Sequence, residues 1–193
     1  QNLVANFLTY RHHSAQRKSE ATPKQRLRKG QPMKTKRIFI HGLESTSRGA
    51  KGEFFRKNYP DMILEDYTGP LRQRMDRLNE TLRRETDVIL VGSSYGGLMA
   101  AIYASEHEAH VKRLILLAPA LNLPEFEPYR NRRPPLRIPV ILRHGRCDDV
   151  VPPEAVQAIA ATVFSNLDYL LVEDDHSLHR TFEDMNWDDL LRV

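Results

Sequence analysis

Apolar residues along the chain follow two different spacings from residue 35 onward. Short runs rich in β-branched residues and leucine predict buried strands, and they are KRIFI (36–40), MILE (62–65), DVILV (87–91), KRLILL (112–117), IPVILR (138–143) and DYLLV (168–172). The longer segments between them have helical spacing: RGAKGEFFRKN, GPLRQRMDRLNETLRRE, YGGLMAAIYASEHE and PPEAVQAIAATVF. Strands that alternate with helices are typical of a parallel sheet covered on both faces. We therefore predict the α/β class, a three-layer α/β/α sandwich around a mainly parallel sheet of about six strands.

The second helical segment has the clearest amphipathic pattern. Steps of four, three and four residues place one apolar stripe along it, formed by Leu71, Met75, Leu78 and Leu82. Arginines occupy many of the other positions of this segment. We interpret these arginines as the solvated face of the helix.

Charge divides the chain into a basic start and an acidic remainder. Residues 1–37 contain ten lysines and arginines and one acidic residue, Glu20, whereas the whole chain carries a net charge of +4. We predict that residues 1–34 form a basic arm, either disordered or an upstream leader, and that 35–193 form one domain. Such an arm could alternatively bind nucleic acid or another anionic surface. It has few aromatic residues to stack on bases, so we do not expect nucleic acid as a partner.

Other features of composition restrict the class of protein. No apolar run approaches the roughly 20 residues that cross a bilayer, and the first residues, QNLVANFLTYRHH, lack the pattern of a secretory signal. Cys147 is the single cysteine, which excludes an intrachain disulfide and a cysteine metal cluster. We therefore expect a cytoplasmic protein that has no membrane partner and needs neither a metal nor another cofactor.

The third predicted strand ends in GSSYGG, residues 92–97, directly before a helical segment rich in small residues. The first five of these residues match the pattern G-x-S-x-G, whose central serine lies on a sharp turn between strand and helix. Ser94 is therefore a candidate nucleophile, and the glycines leave room for its strained backbone. A Gly/Ser turn that merely caps a helix is the alternative.

Candidate partners for Ser94 follow in the order that this turn requires. A serine hydroxyl is a weak nucleophile, so it needs a base, and the base needs an acid to orient it. The motifs HGRCDDVVP and DDHSL come just after the fifth and sixth strands, where catalytic residues of parallel sheets collect. Asp148 and Asp149 are the candidate acids, and His176 and His179 the candidate bases. A metal site built from these aspartates and histidines is a further alternative.

The first strand runs into HGLES, which offers a place for a negatively charged oxygen. A tetrahedral oxyanion needs two preorganised donors, commonly the N–H after the nucleophile and another from the loop after this strand. The backbone N–H groups of Tyr95 and Leu43 are the candidates. His41 and His144 each precede a glycine, and we interpret both as histidines that stabilise loops.

Together, HGLES, GSSYGG, HGRCDDVVP and DDHSL resemble the motifs of the alpha/beta-hydrolase superfamily, over roughly residues 36–193. The resemblance implies that Ser94 is the nucleophile, Asp148 the acid and His176 the base. The chain is similar in particular to small, lid-poor members with esterase or thioesterase activity, because only the connection at 121–135 can act as a cap.

These observations lead to one main function and one main alternative. We predict a serine hydrolase that cleaves a small-molecule carboxylic ester or thioester through an acyl-enzyme intermediate. A binding protein with a silent triad on a hydrolase fold is the alternative. Three arginines of the 121–135 connection either attract an anionic substrate or form a solvated charge run: Arg130, Arg132 and Arg133.

Overall fold

Six strands form one sheet in which every neighbouring pair is parallel. The computed structural model describes residues 35–192. Its strands are β1 (Lys36–Ile40), β2 (Ile63–Leu64), β3 (Val88–Ser93), β4 (Val111–Leu117), β5 (Val140–Gly145) and β6 (Leu167–Val172). They lie in the order β2-β1-β3-β4-β5-β6. The predicted parallel α/β class is confirmed.

Helices connect these strands over the described range. They are α1 (Ala50–Asn58), α2 (Leu71–Leu82), α3 (Tyr95–Glu106), α4 (Glu127–Arg130), α5 (Pro153–Val163), α6 (His179–Asp184) and α7 (Trp187–Leu190). Two short 3-10 turns cover Glu108–His110 and Pro124–Phe126. The four helices predicted from the sequence correspond to α1, α2, α3 and α5.

Both faces of the sheet are covered because successive strand residues point to opposite sides. Ile38 and Ile40 of β1 are fully buried in a core shared with α2, α3 and α5. Phe39, between them, belongs to a second core with α1, α6 and α7. Burying such an apolar side chain stabilises the fold by about 1.5–3 kcal/mol. The two cores make the three layers of the predicted sandwich.

The register of the sheet aligns the carboxyl ends of its strands. Pairs near this edge are Ile40 with Gly92, Ser93 with Leu117, and Gly145 with Val172. The residues that follow β1, β3, β5 and β6 therefore emerge side by side. Those four segments carry the four motifs of the sequence, so the topology brings the motifs to one edge.

The fifth strand begins two residues later than its apolar run predicts. The run started at Ile138, whereas β5 begins at Val140. Pro139 has no N–H for the ladder, and only its carbonyl is used, as an acceptor for the N–H of Leu114 at 3.0 Å. The proline thus delays the regular pairing.

The arginines of α2 do not all face solvent. Met75, Leu78 and Leu82 are buried as predicted, and Arg72 is exposed, but Arg74 is only 5% exposed. Position 74 lies four residues before Leu78, so it falls on the apolar stripe itself. The interpretation of these arginines as a solvated face is therefore wrong at Arg74.

Two further predictions concern the basic arm and the absence of a membrane-spanning segment. The predicted basic arm, residues 1–34, lies outside the described residues. Between residues 35 and 192 no helix has both the length and the apolar character needed to cross a membrane.

Candidate active site

Ser94 lies on a strained turn between β3 and α3. Its backbone angles are φ 54° and ψ −117°, a region that residues other than glycine rarely occupy and that costs about 1–3 kcal/mol. The N–H of Ser94 donates to the carbonyl of Leu117 at 2.9 Å, and its own carbonyl accepts from the N–H of Gly97 at 2.9 Å. These bonds to the sheet and to the helix hold the turn, which exposes the side chain at the sheet edge.

Two glycines of the motif are needed for close packing around this turn. A Cβ atom on Gly96 would collide with the carbonyl of Ile40 in β1, and one on Gly92 would lie 2.5 Å from the carbonyl oxygen of Gly96. Real side chains do not tolerate such contacts, so β1, β3 and α3 approach this closely only because both positions lack a side chain.

Three predicted residues form a continuous chain of hydrogen bonds. The Oγ of Ser94 lies 2.9 Å from the Nε2 of His176, and the Nδ1 of His176 lies 2.8 Å from the Oδ2 of Asp148. An ionised carboxylate only accepts hydrogen bonds, so Nδ1 carries the proton and Nε2 accepts from the hydroxyl of Ser94. This tautomer is the one in which a histidine can take a proton from serine.

The alternative residues lie apart from this chain. Asp149 is exposed, and the side chain of His179 is 71% exposed, with its Nδ1 3.7 Å from the Oδ2 of Asp175. As to a metal site, no group of three or more His, Cys, Asp or Glu side chains within residues 35–192 is arranged to hold an ion.

Residues 146–152, here called the acid loop, enclose Asp148. The Oδ1 of Asp148 accepts from the N–H groups of Val150 at 2.9 Å and Val151 at 2.8 Å. Its Oδ2 lies 2.9 Å from the Nε2 of His144. Burial raises the pKa of Asp148, but hydrogen bonds from Val151, His176 and Val150 outweigh it and hold the pKa below its ordinary value. Asp148 is therefore an anion at neutral pH.

His144 is a fully buried second histidine on Asp148. Its Nε2 also lies 3.0 Å from the carbonyl oxygen of Val151, and because both neighbours are acceptors this nitrogen carries the hydrogen. Its Nδ1 is buried without a hydrogen-bond partner, and burial lowers its pKa despite the charge of Asp148. His144 is thus a neutral donor to the carboxylate, which its interpretation as a loop-stabilising residue did not include.

His41 has a simpler role in its loop. Its Nδ1 donates to the carbonyl of Gly42 at 2.7 Å, and its Nε2 accepts from the N–H of Tyr67 at 2.9 Å. Both ring nitrogens are occupied by backbone groups, which agrees with the interpretation of His41 as a residue that stabilises its loop.

Residues 173–178, here called the base loop, hold His176 through its neighbours. The carboxylate of Asp175 accepts from the N–H of Ser177 at 2.8 Å and of Leu178 at 3.1 Å. From α1, the Nζ of Lys51 donates to the carbonyl of Ser177 at 2.5 Å. Burial lowers the pKa of Lys51, although nearby aspartates oppose the shift. The backbone around His176 is therefore fixed while its ring faces the open side.

Leu43 and Tyr95, the predicted oxyanion donors, both lie beside Ser94. Both residues line the cavity that also contains Ser94, and a Cβ on Gly42 would lie 3.4 Å from the Cβ of Ser94, so this loop passes directly beside the serine. The N–H groups of Leu43 and Tyr95 make no hydrogen bond to another residue of the range 35–192. Both donors are therefore free for a substrate oxygen.

A cavity of about 640 Å³ opens beside Ser94 and His176, within the range of about 300–1,000 Å³ common for small-molecule sites. Three aromatic side chains line part of it, Phe39, Phe54 and Phe182. The exposed side chains of Leu43 and Val150 also line it. The site suits a small substrate with an apolar part.

Two arginines of the 121–135 connection form ion pairs with nearby glutamates. Arg130 pairs with Glu127 at 2.7 Å, and Arg132 pairs with Glu108 at 2.9 Å. Neither of them, nor Arg133, lines the cavity. The geometry therefore gives no support to attraction of an anionic substrate, and Arg130 and Arg132 are half-buried in structural ion pairs rather than solvated.

Three features around the site were not predicted from the sequence. They are the contact of Lys51 with Ser177, the burial of Arg74 and the contact of His144 with Asp148. Lys51 and its partner Ser177 are 126 positions apart, so no local pattern could connect them. Arg74 carried a usable signal, because its place on the apolar stripe of α2 predicts burial. His144 and Asp148 are four residues apart in HGRCDD. This spacing predicts their contact only if both side chains are known to be buried.

Comparison with known proteins agrees with this architecture. The alpha/beta hydrolase fold family matches residues 45–136, whereas no curated protein matches the chain by sequence. Alpha/beta hydrolase domain-containing protein 10 from mouse superimposes with a TM-score of 0.67 at 22% identity, over 83% of this chain and 90% of that one. Est1E from Butyrivibrio proteoclasticus gives 0.61 at 20% identity, over 79% and 84% of the two chains.

A third solved structure extends the likeness to a lipase. The Paleococcus ferrophilus monoacylglycerol lipase gives a TM-score of 0.59 at 16% identity, over 80% of this chain and 90% of that one. At such identities the likeness concerns the fold alone. The family match, the parallel sheet and the strained turn at Ser94 agree, and the chain has the fold of the alpha/beta hydrolases.

Proposed function

We propose that this protein is a serine hydrolase that cleaves a carboxylic ester or thioester of a small molecule through an acyl-enzyme intermediate. The observation that carries the proposal is the hydrogen-bonded chain from Ser94 through His176 to Asp148, beside a cavity of about 640 Å³. The name of one similar structure, a monoacylglycerol lipase, supports the same class of reaction.

In the first half of the reaction, the Nε2 of His176 takes the proton of Ser94 while the Oγ attacks the substrate carbonyl carbon. The carbonyl oxygen becomes negative and accepts hydrogen bonds from the N–H groups of Leu43 and Tyr95. Asp148 stabilises the imidazolium. His176 then returns the proton to the leaving oxygen or sulfur, and an acyl group stays on Ser94.

In the second half, water replaces the alcohol or thiol. His176 takes a proton from water, the hydroxide oxygen attacks the acyl carbon, and the second tetrahedral intermediate uses the same two donors. Its collapse breaks the bond to the Oγ of Ser94, which regains its proton from His176. The products are a carboxylic acid and the free enzyme.

The lining of the cavity bears on the substrate class. Phe39, Phe54 and Phe182 offer apolar, aromatic contacts, which favour an ester with an apolar acyl or alcohol part. We expect p-nitrophenyl esters to be hydrolysed. Values of kcat/KM for a series of increasing acyl length, compared with those for a few acyl-CoA thioesters, measure whether the enzyme prefers esters or thioesters.

A fluorophosphonate probe tests the proposed nucleophile directly. Wild-type protein should be labelled at Ser94, Ser94→Ala should lose the label, and Ser93→Ala should keep it, with mass spectrometry of the labelled peptide as the measurement. Folded wild-type protein that takes no label and hydrolyses no ester would instead support a binding protein with a silent triad.

Two further expectations stay predictions. One is a cytoplasmic location. The other concerns the basic arm, residues 1–34: appreciable DNA affinity that falls steeply as salt is raised would support the nucleic-acid alternative.

A further inference from the structure

Arg74 is a buried cation whose charge is not neutralised by a carboxylate within ion-pair distance in the described chain. It is 5% exposed. Its Nε donates to the carbonyl of Gly69 at 2.7 Å and its Nη2 to the carbonyl of Leu43 at 3.2 Å, whereas its Nη1 is buried with no hydrogen-bond partner. Removing a charge from water without a counter-charge costs free energy. The position of Arg74 therefore calls for a compensating negative charge.

The contacts of Arg74 join the two residues proposed to hold the oxyanion. One arm of the guanidinium binds the carbonyl of Leu43, and the guanidinium carbon lies 5.5 Å from the centre of the Tyr95 ring. The bond to Gly69 anchors the same group at the start of α2. One side chain thus connects the loop after β1, the start of α2 and the residue that follows Ser94.

These contacts bring a positive charge to the carbonyl of Leu43 and to the ring of Tyr95, the two residues whose N–H groups are the proposed donors. In a site with little water, a fixed charge acts strongly on charge that develops nearby. In the proposed reaction the substrate oxygen becomes negative next to Leu43 and Tyr95, the two residues that Arg74 contacts. The effect of Arg74 is therefore larger on the tetrahedral intermediate than on the bound ester.

We propose that Arg74 is a positioning residue of the oxyanion hole, which fixes the Leu43 loop against Tyr95 and stabilises the anionic tetrahedral intermediate through its charge. The inference rests on the proposed function, because it concerns the oxyanion of that reaction. It adds a residue that has no counterpart among the motifs of the sequence.

The test compares Arg74→Met, which has no charge, with Arg74→Lys, which keeps the charge but loses the two-armed contact. Arg72→Met is the matched control, since Arg72 is an exposed arginine on the same helix. The measurements are kcat and KM for a p-nitrophenyl ester, the inhibition constant of phenylboronic acid, which forms an anionic tetrahedral adduct with the serine, and thermal unfolding.

We expect Arg74→Met to lower kcat by about 10²-fold, the scale of a lost oxyanion donor, with KM changed less than about threefold. The boronic acid should bind more weakly by a similar factor. Arg74→Lys should recover part of both losses, and Arg72→Met should behave as wild type.

Two results would overturn the proposal. One is a folded Arg74→Met with kcat within about threefold of wild type. The other is a loss of kcat without a matching loss of boronic acid affinity, which is the behaviour of a purely structural residue. If Arg74→Met does not fold, Arg74→Lys decides, with an expected loss of about tenfold in both readouts. A wild-type protein without esterase activity would instead refute the proposed function.

Discussion

The acid loop and the base loop follow neighbouring strands, yet they hold their side chains in opposite ways. The side chain of Asp148 is fully buried, and both of its oxygens accept two hydrogen bonds each. The ring of His176 is 20% exposed, and the bonds that fix its loop are made by the residues beside it. One loop encloses its functional group, and the other presents it.

This difference follows from what each group does in the proposed reaction. Asp148 stays ionised throughout, so burial with several donors costs nothing during turnover and keeps its orientation constant. His176 gains and loses a proton twice, and it must reach both Ser94 and a leaving group or water. It therefore needs an open side, and its precision comes from the backbone that carries it.

The largest effect should come from the base loop. His176→Ala and Ser94→Ala should each lower kcat by about 10⁶-fold, and the double variant should be hardly worse, because both changes abolish the same proton transfer. His179→Ala, on an exposed neighbour, should change kcat less than about fivefold. Steady-state kinetics with a p-nitrophenyl ester measure all four. Losses that multiply in the double variant would contradict a joint role.

The acid should come next. Asp148→Asn preserves shape but leaves His176 without its anionic partner, so kcat should fall by about 10⁴-fold. Asp149→Asn, its exposed neighbour, should lose less than about threefold. If Asp149→Asn were the damaging change, the enclosed carboxylate would not be the acid, and the comparison of the two loops would fail.

A smaller loss should follow from a change at His144, the buried histidine of β5 that donates to Asp148. His144→Phe removes a donor to a carboxylate, and hydrogen bonds to charged groups contribute about 1.5–3 kcal/mol, so we expect kcat to fall by about 10–100-fold with KM within about twofold. His144→Gln can still donate and should recover part of the loss. Equal kcat in His144→Phe and wild type would mean that the remaining three hydrogen bonds suffice to orient Asp148.

The same histidine should also make stability depend on pH, and this is the smallest effect. Burial lowers the pKa of His144 in the folded state, so the unfolded chain binds more protons as pH falls below about 6.5. Stability should therefore be full above that pH and decline below it, by at most about 1.4 kcal/mol per pH unit. Asp148 contributes separately, below the unfolded carboxyl pKa of about 3.9.

Urea unfolding between pH 5 and 7.5 measures this slope. In His144→Gln the slope should be shallower by the contribution of one group. An unchanged slope would show that folding does not lower the pKa of His144, contrary to the effect of its burial.

Sequence patterns predicted the layers, the parallel sheet and the place of the motifs at the carboxyl ends of its strands. They succeeded because the apolar runs and the G-x-S-x-G turn are local features, and because parallel strands bring their carboxyl ends together. They failed where partners are distant in sequence, as for Lys51 with Ser177.

A single buried tryptophan in α7 makes intrinsic fluorescence a measure of local packing in this part of the protein. Trp187 is the only tryptophan of the chain, is 2% exposed, and packs at 4.8 Å against Phe55 and at 5.1 Å against Phe182, ring centre to ring centre. Its Nε1 donates to the carbonyl of Phe182 at 2.8 Å. Its fluorescence thus reports on α6 and α7, so a red shift before global unfolding would reveal that these helices detach first and carry the end of the base loop with them.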